Sequence, residues 1–432
     1  MKKLLLSSSI LMLASAAASA ADLGTGVLEC DNNGYSAGTV PFNGGTYLRC
    51  NLPTSIAVGS GTIALAKQNY LGQNIVWTLT GITTVGNGHV QNTSYASADK
   101  TNLEIAPGAH IAGTNPEGGS ALVITRGATI HADGSEEQIT FSSLDDNFTG
   151  NGEWGGLVLS GFGESNQCPS SGGVDDCVME GVDTSYYYGG GKYLDESVSS
   201  GTLKYVVIAE GGHVLATDSE INGLTLYAVN GLFDHDDDSG TAPIPTTVMD
   251  YVHIHNNLDD GVEFFGGNAD VSNLWLTCND DDSVDWDEGY TGNLTNISIT
   301  QEDGVGHAFE LANNPNSPHT QTPVAKGIIN NVSLFFDGTT VANVPFKLKE
   351  GTDASFTNVN VDITSAYNGS DCDETSTAIV LGSGSAFSNI QYACTPVNGN
   401  AGSYMDLPAS TTASGFTAAS FWSEWTNSPS CD

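Results

Sequence analysis

The sequence predicts an all-β chain wound as a parallel solenoid, and three observations carry that reading. Helical periodicity is nearly absent, while short alternating strands punctuated by Gly, Asn and Asp run almost throughout. Leu103-Glu-Ile105-Ala-Pro-Gly108-Ala-His-Ile111 matches Leu122-Val-Ile124-Thr-Arg-Gly127-Ala-Thr-Ile130 at an offset of 19. Further on, Leu258 to Gly267 matches Asp280 to Gly289 at an offset of 22, pairing Asp259 with Asp281, Val262 with Val284 and Phe264 with Trp286. Short strands repeating at about 20 residues are the mark of stacked coils that share one core. Strands of a β-sandwich come from hairpins and would not match at fixed offsets.

Taken from the N-terminus, residues 1–20 read as a signal peptide: Lys2 and Lys3, the apolar run Leu4 to Ala18, then Ala18-Ser19-Ala20 as a cleavage site. The expected product is an exported protein of the periplasm, cell surface or medium, with no transmembrane segment. Residues 21–100 fit the repeat poorly and are expected to form an N-terminal cap, because a solenoid must hide its open core. Residues 101–399 form the coils. Within them Asn273, Asn296, Asn331, Asn358 and Asn389 each open an alternating strand, which predicts an asparagine ladder. The spacing widens between Asn296 and Asn331, where Asn313 to Pro323 reads as an inserted loop. Phe264, Trp286, Phe309 and Phe346 are expected to stack inward. Residues 400–432 form the C-terminal cap, with a short helix expected within Ser410 to Trp425.

The charge is extreme. There are 50 Asp+Glu against 11 Lys+Arg, a net charge of −39. That excludes nucleic acid as a partner, since neutralising phosphates needs a basic face, and it disfavours anionic membrane surfaces. Eight cysteines in an exported chain point to disulfides. Spacing offers Cys30–Cys50, Cys168–Cys177 and Cys372–Cys394, which leaves Cys278 with Cys431, although eight cysteines leave other pairings open.

The carboxylates crowd into two coils: Asp259, Asp260 and Glu263 in one, then Asp280, Asp281, Asp282, Asp285, Asp287 and Glu288 in the next. If Val284 and Trp286 point inward, alternation turns Asp285 and Asp287 outward. The offset of 22 then sets Glu263 beside Asp285 and Asp259 beside Asp281. Stacked coils lie about 4.8 Å apart, so these charges repel and raise one another's pKa. Two outcomes relieve the repulsion, a bound divalent cation or a shared proton at a catalytic pair. Calcium suits the first, because it takes oxygen ligands in loose geometry. The expected ligands are Asp260, Glu263, Asp282, Asp285 and Asp287. Asp234, Asp236 and Asp238 are added because their alternate spacing resembles the start of a calcium loop, although Ser239 stands where an EF-hand has Gly.

The strings GEWGGLVLSG (Gly152 to Gly161), EINGLTL (Glu220 to Leu226), NLDDGVEFFGG (Asn257 to Gly267) and DDDSVDWDEG (Asp280 to Gly289) resemble a family of exported bacterial proteins. The resemblance implies a right-handed parallel β-helix of the pectate-lyase-like superfamily, with no settled activity. A second resemblance bears on chemistry. Asn257-Leu-Asp259, Asn279-Asp280-Asp281, Gly306-His307-Ala308 and Lys347-Leu-Lys349 follow the order of the N-x-D, G-D-D, G-H-G and R-x-K motifs of polygalacturonases, each with one departure. That resemblance implies Asp280 as general acid, Asp259 and Asp281 activating water, His307 supporting them, and Lys347 and Lys349 holding a sugar carboxylate in an inverting hydrolase. Lyase chemistry has little support, since Arg49 and Arg126 are the only arginines and lie far from the acidic coils in sequence. Tyr186-Tyr-Tyr188-Gly-Gly-Gly191 reads as a long loop whose tyrosines cover the solenoid flank. The leading expectation is a calcium-binding β-helix with a structural, surface or matrix role that contacts a polysaccharide or cell-surface component; the alternative is an extracellular glycoside hydrolase.

Overall fold

The computed structural model describes residues 26–28, 30, 35–114, 119–145, 148–172, 176–182, 185–216, 219–231, 247–336, 345–362 and 385–392. The expected signal peptide, the 400–432 cap with its helix, Asp234, Asp236, Asp238, Cys372, Cys394 and Cys431 lie outside them.

One coil shows how the chain winds. Val271–Thr277 lies in a large sheet and Val284–Asp287 in a smaller one. Asn293–Gln301 then stacks in parallel on Val271–Thr277, with Leu274 opposite Ile297 and Leu276 opposite Ile299. Repetition gives a 16-stranded and a 9-stranded sheet among the described residues. The fold is a right-handed parallel β-helix, the hand that parallel crossovers take. Alternation fixes the faces: in Val284–Asp287 the two apolar side chains are buried and the two aspartates half-buried.

The inward residues form one continuous core along the axis. Phe264 pairs with Trp286, whereas Phe309 and Phe346 occupy the neighbouring column with Val284, their rings parallel and 5.4 Å apart. The four aromatics therefore stack in two columns, not in the single one expected, because the strands stay in register while the aromatic falls two residues earlier in the later two strands than in the first two. Trp286 also donates its indole N–H to Thr352 Oγ1 at 2.9 Å, so its polar edge is satisfied.

The asparagine ladder is present. Asn296 donates to Asn273 at 2.8 Å, Asn331 to Asn296 at 3.0 Å and Asn358 to Asn331 at 3.0 Å, and Asn273 ends the chain on Asp250 at 2.6 Å. All four have φ between 57° and 60°. Asparagine tolerates that left-handed backbone better than most residues, so one residue type both turns the corner and links the coils. The side chain of Asn389 lies outside the described set.

Two expectations are corrected. The segments matched at an offset of 19 are not stacked coils: Asn102–Ile105 pairs with Thr129–Asp133 in the large sheet, while Ala121–Ile124 belongs to the small one. The match records two corners of the same kind, each closed by a glycine in the left-handed region, Gly108 at φ 72° and Gly127 at φ 88°. The helix also begins before residue 101. Gly45–Asn51 already pairs in parallel with Ile75–Leu79, and the end unit is the antiparallel hairpin Ser36–Phe42 with Gly45–Asn51.

The Cys30–Cys50 and Cys168–Cys177 disulfides form as spaced. Cys278 is also disulfide-bonded, and the pairing expected for it with Cys431 lies outside the described residues. Tyr187–Tyr188 pairs with Cys177–Val178, and Tyr188 is buried with its hydroxyl donating to Glu288. That stretch covers the solenoid flank.

Candidate functional site: an acidic cavity on the small sheet

The small sheet carries an outward column that alternation and register dictate together. Glu263 lies opposite Asp285, Asp285 opposite Glu310, and Glu310 opposite Lys347. The turns leading into these strands add Asp259 and Asp260 from one coil, Asp281 and Asp282 from the next, and Gly306 and His307 from the third. A Cβ on Gly306 would collide with the Asp281 and Asp282 carboxylates, so glycine lets this turn approach them. The result is a cavity of about 480 Å³ walled largely by acids, with Glu180 and Phe265 from flanking segments.

Within it, one carboxylate oxygen each from Asp259, Asp260 and Asp281 lie within 4.8 Å of one another. The same holds for Asp260, Glu263 and Asp285, so Asp260 belongs to both trios. Asp260 Oδ1 accepts the backbone N–H of Asp282 at 2.9 Å, and Glu263 accepts from the Asn222 amide. Asp285 Oδ1 is buried with no hydrogen-bond partner. A buried carboxylate oxygen left unpaired is costly and needs a compensating group.

The electrostatics follow. Burial first, then repulsion from neighbouring acids, holds Asp260, Glu263 and Asp285 well above the ordinary carboxyl range. Asp282 is pushed up to about 7 by burial and by Asp281, against the opposing pull of the His307 N–H, Lys347 and Lys349. Asp287 is lifted to about 6, mainly by burial.

Asp282, His307 and Glu310 form a third trio. Its acceptors are already engaged, since His307 N–H donates to Asp282, both Lys347 and Lys349 bond Glu310, and His307 Nε2 stands 3.6 Å from Glu310. Two ammonium groups disfavour a cation there. The two all-carboxylate trios suit a hard divalent ion, because calcium takes six to eight oxygens, and the unpaired Asp285 oxygen fits that need.

The carboxylate of Asp280 lies away from the cavity, where it accepts from Asn151 Nδ2 at 2.5 Å. Asp287 likewise lines neither the cavity nor the trios. Sequence reasoning missed Glu310, the hub of the two lysines and His307. The signal was available in Phe309, whose inward position turns its neighbour outward.

A parallel β-helix with an acidic cavity on one sheet is the class that fold and site define. Residues 79–426 match the model of the pectate-lyase like beta helix domain, and the chain belongs to that family. No curated protein and no solved structure matches it. Among the described residues no helix is long and apolar enough to cross a membrane.

Proposed function

We propose that this protein works outside the cell in a polysaccharide-related or structural role, with calcium held in the cavity by Asp260, Glu263 and Asp285 and by Asp259 and Asp281. The observation that carries the reading is the buried, unpartnered Asp285 oxygen beside the Asp260 and Glu263 carboxylates. A bound calcium would neutralise the trios and present an electrophilic face to oxygens of an acidic glycan, while Phe265 gives the cavity an apolar edge. The domain's family is named for pectate lyases, and two disulfides fit an oxidising compartment.

The glycoside hydrolase is less well supported. Its general acid, Asp280, is held by Asn151 and does not line the cavity where Asp259 and Asp281 would activate water. Lys347 and Lys349 are engaged by Glu310 instead of standing ready for a sugar carboxylate.

Co-sedimentation with polygalacturonate and with a neutral glucan tests the reading. Retention on the uronate polymer in calcium, lost in EDTA and in Asp260→Asn, is expected. New reducing ends that vanish in Asp281→Asn would establish the hydrolase instead.

A further inference from the structure

A second group of carboxylates gathers where the large-sheet strand Gly201–Ala209 ends, and none of them lines the cavity. Glu210 follows the strand Gly201–Ala209 with φ 64°, in a corner fixed from both sides: its N–H donates to His255 O at 3.0 Å and its carbonyl accepts from Glu153 N–H at 2.9 Å. Gly152 N–H donates to Gly211 O at 2.7 Å, and the Trp154 indole to Ala209 O at 2.7 Å. These bonds lay the segment around Glu153 against the Glu210 corner. One carboxylate oxygen each from Asp145, Glu153 and Glu210 lie within 4.8 Å of one another.

Acidic clusters are common on such a chain, and the side chain of Glu210 distinguishes this one. It has no exposed surface; Oε2 accepts the Ser143 N–H at 3.1 Å, and Oε1 has no hydrogen-bond partner. A non-glycine residue held in a left-handed backbone, with a buried carboxylate oxygen unsatisfied, is an arrangement that a ligand would repay.

We propose that Glu210, Glu153 and Asp145 form a second cation site for a hard divalent ion such as calcium, separate from the Asp260 cavity. The donor set is all oxygen, which favours calcium or magnesium over metals that seek imidazole or thiolate. Asp145 is exposed and Glu153 half-buried, so the ion has a way in and room for water ligands. Burial lifts Glu210 to about 7, and repulsion from Asp145 and Glu153 adds to the effect of burial while Ser143 opposes it. A cation relieves both burdens. It would also tie Asp145 and Glu153 to a corner far along the chain, steadying the segment whose Asn151 holds Asp280. The site stands on its own observations and does not need the cavity to bind metal.

The test is a calcium count on the full chain after dialysis, by mass spectrometry, together with calorimetric titration of calcium. Asp260→Asn should retain one ion, and Glu210→Gln should lose one ion relative to the parent. Asp145→Asn, at an exposed position that spares folding, should weaken that site at least tenfold. Equal counts in the parent and Glu210→Gln, or no bound calcium in Asp260→Asn, would overturn the proposal, leaving a protonated Glu210. A count unchanged by Asp260→Asn but reduced by Glu210→Gln would overturn the cavity and uphold this site.

Discussion

Replacing Asp260 with asparagine should change stability in opposite directions with and without calcium. Asp260 is nearly buried and shared by both cavity trios, and its Oδ1 accepts the Asp282 N–H at 2.9 Å, a bond that an amide oxygen keeps. Without metal, its charge adds to a cluster already under strain. Asp282, one turn away, sits at about 7 against an ordinary 3.8. At about 1.4 kcal/mol per tenfold change in proton affinity, that burden is on the order of 4 kcal/mol above pH 7. Asp260 is itself held well above the ordinary carboxyl range by burial and by Asp282, Asp285, Asp259 and Asp281, so replacing it with a neutral amide should relieve about 1–3 kcal/mol of a burden of this order. A chain of this length changes its melting temperature by about 1 °C per kcal/mol, so in EDTA the variant should melt about 1–3 °C above the parent. In calcium at a thousandfold over Kd the parent gains about 4.1 kcal/mol per site, which the variant forgoes at the cavity, and the order should reverse. Scanning calorimetry of both proteins in EDTA and in millimolar calcium reads this directly. A variant that melts lower in EDTA, or keeps the parent's full calcium response, would refute the reasoning.

Other outcomes follow from the same structure. Trp286→Ala removes a fully buried indole from the column with Phe264 and should cost about 3–5 kcal/mol in urea unfolding. Asn296→Ala breaks two rungs of the amide ladder and places a Cβ residue without a compensating amide at φ 60°; it should cost about 2–3 kcal/mol, more than Thr295→Ala on the same strand. Stability in EDTA should peak in mildly acid solution. The raised carboxyls contribute stability that is present below their unfolded pKa and lost as pH rises through about 6 for Asp287 and about 7 for Asp282, whereas His255, depressed to about 4 by burial, takes stability away as pH falls from about 6.5 to 4. Calcium should remove only the share of the alkaline loss that Asp260, Glu263 and Asp285 contribute and leave that of Asp287, which melts from pH 4 to 8 would show. Arg126→Met leaves Asp176 buried without its partner at 3.0 Å and should cost about 3–5 kcal/mol.

The sequence made the acidic coils legible because coil-to-coil repetition preserves residue type at fixed spacing. Glu263 and Asp285 are opposite each other, and Asp259 lies beside Asp281, where the offset of 22 puts them. The same reasoning faltered where spacing reflects something other than stacking. The offset of 19 compares two corners of one coil, both closed by a left-handed glycine, so its likeness comes from turn chemistry and not from register. Glu310 escaped notice because the next coil is longer and the periodic match fades, although its strand neighbours carry the alternation. Asp280 shows a further limit. Its position in a motif is visible in sequence, but the direction of its side chain is set by Asn151, 129 residues away. Glu210, Glu153 and Asp145 share no spacing at all; only the bonds that lay the Glu153 segment on the Glu210 corner bring them together.

Whether the acidic cavity holds calcium is decided by anomalous diffraction from a crystal grown in calcium. A peak is expected at about 2.3–2.6 Å from carboxylate oxygens of Asp260, Glu263 and Asp285, absent after EDTA and in Asp260→Asn. A cavity without a peak at saturating calcium, its carboxylates joined only by protons and water, would contradict calcium binding there.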